Sequence, residues 1–190
     1  MYAGQHADKP ASKVARTLAS LLGMVLLVLV LSWGLRTFLV QAYEIPSGSM
    51  EETIMTGDMV FSEKVSYYVG EPERGDIVTF ADPEIPSRIL IKRVIATEGE
   101  TVDLVDGQVV VDGVTLNEPY TGGLPSYPLT PDPSANVTYP YTVGEGEIWV
   151  MGDNRTNSQD SRYFGAIDVS TVTGKAVLTY WPLDRIGLLS

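Results

Sequence analysis

Residues 18–40, "LASLLGMVLLVLVLSWGLRTFLV", leave the chain little choice in how it begins: 23 consecutive positions are apolar or small apart from Arg36 and a few polar side chains. About 20 such residues span the hydrocarbon core of a bilayer as a helix, and within lipid a helix satisfies every backbone group inside one segment. The stretch reads as one transmembrane helix. Lys9, Lys13 and Arg16 precede it, and beyond Arg36 no Lys or Arg follows until Lys64. Basic residues mark the cytoplasmic side, so residues 1–17 are expected to be a cytoplasmic tail and residues 41–190 a single extracytoplasmic domain. Arg36 falls near the outer end, where a long side chain reaches water, and Trp33 suits the interface. A cleavable signal peptide is the competing reading, with "LLGMVLLVLVL" as its apolar core and "VQA" at 40–42 as its cut site. The apolar stretch continues to Val40, longer than such a core needs, and favours an anchor.

From residue 41 onward, 23 acidic residues oppose 9 basic ones. Nucleic acid, which needs a basic footprint, is therefore not an expected partner, and the solubility of an exported domain accounts for the charge. Cysteine is absent, which removes disulfides, thiolate nucleophiles and cysteine metal sites. Short β-type runs dominate: "MVFSEKVSYYV", "DIVTFA", "RILIKRVIA", "TVDLVDGQVVVDGVTL", "EIWVM" and "GKAVLTYWPL". Asp106-Gly107 and Asp112-Gly113 lie between apolar runs and predict hairpins. The expected fold is mainly β, an N-terminal transmembrane helix followed by an antiparallel sheet domain closed or folded to limit its edges. Residues 117–142, rich in Pro, Ser, Thr and Gly, read as a loop-rich insertion. Asn136-Val-Thr138 fits a glycosylation pattern too short to carry a role.

Three stretches concentrate chemistry. "IPSGSM" at 45–50 sets two hydroxyls side by side just after the apolar segment. A hydroxyl nucleophile needs a base, usually histidine, but the only histidine is His6, expected on the far side of the membrane. A Ser-His-Asp triad is excluded under that topology, and a zinc site lacks ligands; no metal and no cofactor are expected. Lys64, Lys92 and Lys175 are the lysines beyond the helix. Lys92, in "RILIKRVIA", shares a strand face with Leu90 and Val94, and burial lowers a lysine's pKa because the charged form loses its hydration. A base at neutral pH needs a drop of roughly 2 to 3 pH units from about 10.4, worth about 3 to 4 kcal/mol. A lysine that keeps an edge strand soluble is the alternative. The third stretch, "MGDNRTNSQDSRYFG" at 151–165, is either part of a site or a solvated turn held by Asp–Arg pairs.

Together these stretches resemble the type I signal peptidases, membrane-bound serine proteases that use a Ser-Lys dyad. Four motifs occur in the family's order: "IPSGSM" at 45–50, "GDIVTF" at 75–80, "IKRVIATEGE" at 91–100 and "GDNRTNSQDSR" at 152–162. The resemblance implies Ser49 as nucleophile, Lys92 as general base, and Ser47 as the hydroxyl that joins the Ser49 backbone N–H in an oxyanion hole. It further implies Ser158 as the group that orients the lysine, Asp153 with Arg93 and Asp160 with Arg162 as supporting ion pairs, and Gly152 as a position where a side chain would crowd the lysine. The implied partners are preproteins bearing signal peptides, cut after A-x-A-like sites through an acyl-enzyme, and the lipid bilayer. Nine residues from Val40 to Ser49 span at most about 30 Å, which keeps the nucleophile close to the outer face. The chain departs from the family in Glu51-Glu52-Thr53, where x-Pro-Thr is common, and in "ATEGE", where "GLPGD" is common.

Two other readings are open to such a chain. A self-cleaving regulator on the same Ser-Lys fold would carry a DNA-binding domain and act in the cytoplasm, against the membrane helix and the acidic body. An adhesion module is suggested by Arg74-Gly75-Asp76, which is also simply a turn entering a strand.

Overall fold

The computed structural model describes the backbone of residues 10–190 and the side chains of residues 13–34 and 39–190. His6, Lys9 and the side chain of Arg36, on which expectations rest above, lie outside the described residues. The chain divides into two compact units, Met1–Leu39 and Val40–Ser190.

Among the described residues, the first unit holds one helix, α1 (Pro10–Phe38). Its segment Lys13–Gly34 is long and apolar enough to cross a membrane. Pro10 opens it, a position where the missing N–H has no intrahelical acceptor to lose. The helix thus starts before the apolar stretch and stops short of Val40, whose backbone is claimed by strand pairing with Glu63.

The second unit is built from antiparallel strands: β1 (Val40–Glu44), β2 (Met59–Glu63), β3 (Ile77–Ala81), β4 (Ile89–Thr97), β5 (Thr101–Val105), β6 (Gln108–Val111), β7 (Val114–Thr115), β8 (Tyr141–Thr142), β9 (Glu147–Met151), β10 (Ile167–Asp168), β11 (Val172–Trp181) and β12 (Gly187–Leu188). A main sheet runs in the order β1-β2-β11-β3-β4-β9-β10, with β12 beside β11, and a smaller sheet runs β7-β6-β5-β8. The strands β3 and β4 are central, and six consecutive residues of β4, 91–96, are buried. Burial on both faces explains why "DIVTFA" and "RILIKRVIA" read as nearly continuous apolar runs. The smaller sheet packs Val102, Val109 and Val111 onto Ile95, Trp149 and Met151 of the main one. Both Asp-Gly pairs turn tight hairpins: Asp106 and Gly107 have φ of 51° and 79°, Asp112 and Gly113 of 52° and 77°. That is the two-residue turn whose twist matches the flanking strands.

Two runs end differently from their pattern. The strand in "MVFSEKVSYYV" stops at Glu63, whose carboxylate accepts from the Ser66 N–H at 3.0 Å and starts the helical turn α2 (Ser66–Val69). The insertion at 117–142 contains a 3₁₀ turn (Pro119–Thr121) and closes with β8, where Thr142 pairs with Thr101. One further helical turn, α3 (Ser161–Phe164), overlaps the end of the motif at 152–162.

Candidate active site

The hydroxyls of "IPSGSM" are held between two buried anchors. Ile45 and Met50 enter one core cluster with Ile54 and Val60, and backbone bonds Ile45 N to Asp58 O (2.9 Å) and Gly57 N to Ile45 O (2.8 Å) fix the segment's entry. Between the anchors the chain makes a 3₁₀ turn (Gly48–Met50), with Ser47 extended just before it. Ser49 keeps 8% of its surface exposed. Its carbonyl accepts from the Asn154 N–H at 3.1 Å, and Asn154 Nδ2 donates to the Gly48 carbonyl at 3.0 Å. The motifs at 45–50 and 152–162 are thereby tied together by one main-chain bond and one from the Asn154 side chain.

Lys92 reaches this turn from the middle of β4. Its Nζ lies 2.7 Å from Ser49 Oγ and 2.9 Å from the Ile91 carbonyl oxygen, and the residue is 3% exposed. Burial pushes its pKa down to about 8; Asp160 and Asp153 hold it up against that, and Arg88 lowers it further. Near pH 7 roughly one lysine in ten is then neutral, against less than about one in a thousand for an ordinary lysine. A neutral amine within hydrogen-bond distance of a hydroxyl is positioned to take its proton. An edge lysine placed for solubility would be exposed instead.

The motif at 152–162 supplies the frame. After β9 the chain turns at Gly152, whose N–H donates to Asp160 Oδ2 at 3.0 Å. Asp160 is forked by Arg162 (Nε to Oδ1 and Nη2 to Oδ2, both 2.9 Å) and caps α3 through the Arg162 N–H. Asp153 is forked by Arg93 (2.9 and 2.8 Å) and accepts from Thr53 Oγ1 at 2.5 Å. Four buried charges thus form two bidentate pairs, the arrangement that keeps a buried charge tolerable. A Cβ on Gly152 would fall 2.4 Å from the Ser49 carbonyl oxygen and 2.3 Å from Ser158 Oγ. A side chain at 152 would therefore press on the nucleophile's own backbone and on Ser158, the residue expected to orient the lysine. The bond expected from Ser158 to Lys92 is not formed in this structure: the Ser158 hydroxyl is buried with no hydrogen-bond partner among the described residues, and the Lys92 amine is engaged with Ser49 and Ile91.

Arg155 was given no role by the sequence, although it stands in the middle of "GDNRTNSQDSR". It is buried, donates from Nε to the Gly152 carbonyl at 2.9 Å, and grips Glu118 with two bonds of 2.9 and 2.6 Å and Ser126 with one of 2.6 Å. Tyr120 lays its ring 4.0 Å from the Arg93 guanidinium carbon. The loop at 117–126 is thus bolted to the site. Its sequence signal is one carboxylate, one tyrosine and two prolines in a stretch without periodicity. Glu51, next to the nucleophile, turns its carboxylate toward Thr56 (3.2 Å) and Asn154 (3.4 Å). Glu52, where proline is common, has φ of 81°, a conformation that proline's ring forbids.

Two cavities flank the Ser49–Lys92 pair, and Ser47 and Arg88 line both. One, of about 230 Å³, is mixed, with Asp82, Asn157 and Gln159 beside Leu90 and Phe164 in its wall. The other, of about 200 Å³, is walled by Tyr43, Ile45, Pro46, Ile89 and Ile91. A larger cavity of about 530 Å³, walled by Glu71, Glu73, Glu98 and Glu147, contains none of the site residues. Among the described residues no group of three or more His, Asp or Glu is arranged to hold a metal ion. Asp76 of the Arg74-Gly75-Asp76 triplet accepts from Tyr67 Oη (2.9 Å) and pairs with Lys175 (2.5 Å), which makes it a structural joint rather than a free recognition group.

A hydroxyl beside a buried amine on an antiparallel β frame is the equipment of a serine peptidase. Residues 18–181 match the family described as signal peptidase, peptidase S26, and the chain belongs to that family, as a type I signal peptidase. Signal peptidase I of Leptolyngbya laminosa is 36% identical over 190 residues, covering 96% of this chain and 86% of the relative. A probable signal peptidase I-2 of Synechocystis sp. is 37% identical over 166 residues, covering 85% and 72%. A crystal structure of a signal peptidase I from Enterococcus faecalis V583 shares 33% identity with a TM-score of 0.46, over 56% of this chain and 97% of that one.

Proposed function

We propose that this protein removes signal peptides from translocated preproteins by Ser-Lys catalysis. The 2.7 Å approach of the buried Lys92 amine to Ser49 Oγ carries the reading. Neutral Lys92 takes the Ser49 proton as Oγ attacks the scissile carbonyl, and the developing oxyanion is met by the Ser49 N–H and the Ser47 hydroxyl. The protonated lysine gives its proton to the leaving amine, an acyl-enzyme remains, and Lys92 then activates the water that hydrolyses it. Ser158, whose buried hydroxyl is uncommitted, is assigned to orient the lysine as the ammonium forms. Arg93–Asp153 and Arg162–Asp160 hold the frame, and Gly152 leaves room for the Ser49 carbonyl. The apolar cavity beside Ser49 suits the small side chains of an A-x-A-like site.

The apolar helix supports a single-pass cell-membrane protein with residues 1–17 cytoplasmic, 18–39 in the bilayer and the catalytic domain, which the strand pairing of Val40 extends to 40–190, on the extracytoplasmic face. The test is cleavage of a preprotein by the detergent-solubilised full chain beside Ser49→Ala and Lys92→Ala, with the cut position read by mass spectrometry. Cutting after an A-x-A site, abolished by both substitutions, is the expected result. Activity retained by Lys92→Ala would overturn the mechanism.

A further inference from the structure

The loop at 117–126 lies outside the four motifs, yet it supplies partners to both arginines that shape the turn after β9. Glu118 takes two bonds from Arg155, and Arg155 in turn holds the Gly152 carbonyl at 2.9 Å. Gly152 packs so closely on the Ser49 carbonyl that a Cβ there would stand 2.4 Å away. Tyr120 joins the two halves: its Oη donates to Glu118 at 2.9 Å and its ring covers the guanidinium of Arg93, with that of Arg155 5.9 Å away. A ring over a buried guanidinium is an attractive contact that also restricts where the fork points. Arg93 neighbours Lys92 in β4 and neutralises Asp153 through both oxygens.

We infer that Tyr120 and Glu118 are positioning residues for the reaction: Glu118 holds Arg155 against the turn that abuts Ser49, and Tyr120 holds Arg93 in the fork that shields Lys92 from the charge of Asp153. This rests on the Ser-Lys reading given above. The charged groups that act on Lys92 are Asp160, Asp153 and Asp82, which favour its protonated form, and Arg88, which disfavours it. Loosening the Arg93 fork leaves Asp153 less compensated, so the ammonium is favoured and more alkali is needed to obtain the neutral base. Loosening Arg155 acts on geometry instead, through Gly152, and is independent of pH.

The experiment measures kcat and KM for preprotein cleavage by the full chain in detergent across about pH 6 to 10. Tyr120→Leu removes the ring and is expected to move the acid limb of the kcat profile upward by roughly half a pH unit, which lowers kcat about threefold near pH 7 and leaves the alkaline plateau and KM unchanged. Tyr120→Phe keeps the ring over Arg93 and is expected to keep the wild-type limb. Glu118→Gln is expected to lower kcat about tenfold at every pH with KM unchanged. The limb's position does not depend on how much enzyme is folded, and Tyr120→Gln makes the same test if the leucine variant does not fold. An unmoved limb in Tyr120→Leu, or an equal shift in Tyr120→Phe, overturns the role of Tyr120; an unchanged kcat in Glu118→Gln overturns that of Glu118. Failure of the Ser-Lys reading itself would look different, as an inert wild type or an active Lys92→Ala.

Discussion

Adding one methyl group at Gly152 should disable this enzyme without unfolding it. The Cβ of Gly152→Ala would lie 2.4 Å from the Ser49 carbonyl oxygen, 2.3 Å from Ser158 Oγ and 2.5 Å from Ser158 Cβ. Ordinary contact begins near 3.4 Å, so about 1 Å of displacement is required. The Ser158 hydroxyl can rotate away, but the Ser49 carbonyl is main chain and is held by the Asn154 N–H at 3.1 Å. Gly152 cannot retreat either, because Asp160 and Arg155 bond its N–H and its carbonyl. The displacement therefore falls on Ser158, whose Cβ does not move when its hydroxyl rotates, and on Ser49, whose Oγ must stay within reach of Lys92. A misplacement of about 1 Å at a reacting group costs on the order of 100-fold in rate, whereas overpacking of this size destabilises by about 1–3 kcal/mol. A domain of this size then loses several degrees in Tm, roughly 2–4 °C per kcal/mol, and remains folded at assay temperature. Preprotein cleavage followed by gel or mass spectrometry should show kcat down about 100-fold with KM little changed. Gly70→Ala, with a nearest contact of 3.4 Å, is the matched control. A Gly152→Ala enzyme whose kcat stays within about threefold of wild type would refute the view that this turn sets the position of Ser49.

Three further outcomes follow from the same geometry. The kcat profile should rise with pH through a midpoint near 8, because neutral Lys92 is the active form and the group is pushed down to about 8; a flat profile from about pH 6 to 9 would exclude lysine as the base. Lys92→Met should stabilise the inactive protein at pH 7. The folded lysine titrates near 8 and the unfolded one near 10.4, so below 8 the full burial penalty, about 3 kcal/mol, is present, and it fades as pH rises from 8 toward 10.4; thermal melts should show the gain at pH 7 and its loss near pH 10.4, and a destabilised variant at pH 7 would count against it. Glu52 holds φ at 81° on an exposed turn, so Glu52→Gly should add about 1 kcal/mol in a denaturant titration while Glu52→Pro should destabilise.

Much of this fold is legible in the residues because local chemistry and tertiary demand agree. The two Asp-Gly pairs need positive φ and obtain it, and the doubly buried β4 announces itself as an apolar run interrupted by Lys92 and Arg93. The pairing of Ser49 with Lys92, 43 positions apart, is not a local property and was reached through motif order. Three features escaped for physical reasons. Helix α1 begins ahead of the apolar residues because helix propensity extends beyond hydropathy. The residues after Glu63 form a turn because one carboxylate captures one N–H. The roles of Glu118, Tyr120 and Arg155 depend on where a loop without periodicity comes to rest, and periodicity is the signal a sequence offers. Ser158 shows the opposite case, where the motif implies a bond to the lysine that the structure does not contain.

The adjacency of Lys92 and Arg93 makes the alignment of β4 against its neighbour a condition of reactivity. Successive strand residues point to opposite sides, and the pairing of Val78 with Lys92 and of Ile77 with Arg93 decides which cation meets Ser49. A slip by one residue would present the nucleophile with a guanidinium, which keeps its proton throughout the working range. The protein would then possess every group of a peptidase and no base. The connection between β3 and β4 resists such a slip: Asp82 N donates to the Arg88 carbonyl at 2.9 Å, and the Asp82 carboxylate takes the N–H groups of Glu84 and Ile85. Residues 82–88 thus work as an alignment key, and a single insertion or deletion there would be felt as lost chemistry before it was felt as lost stability.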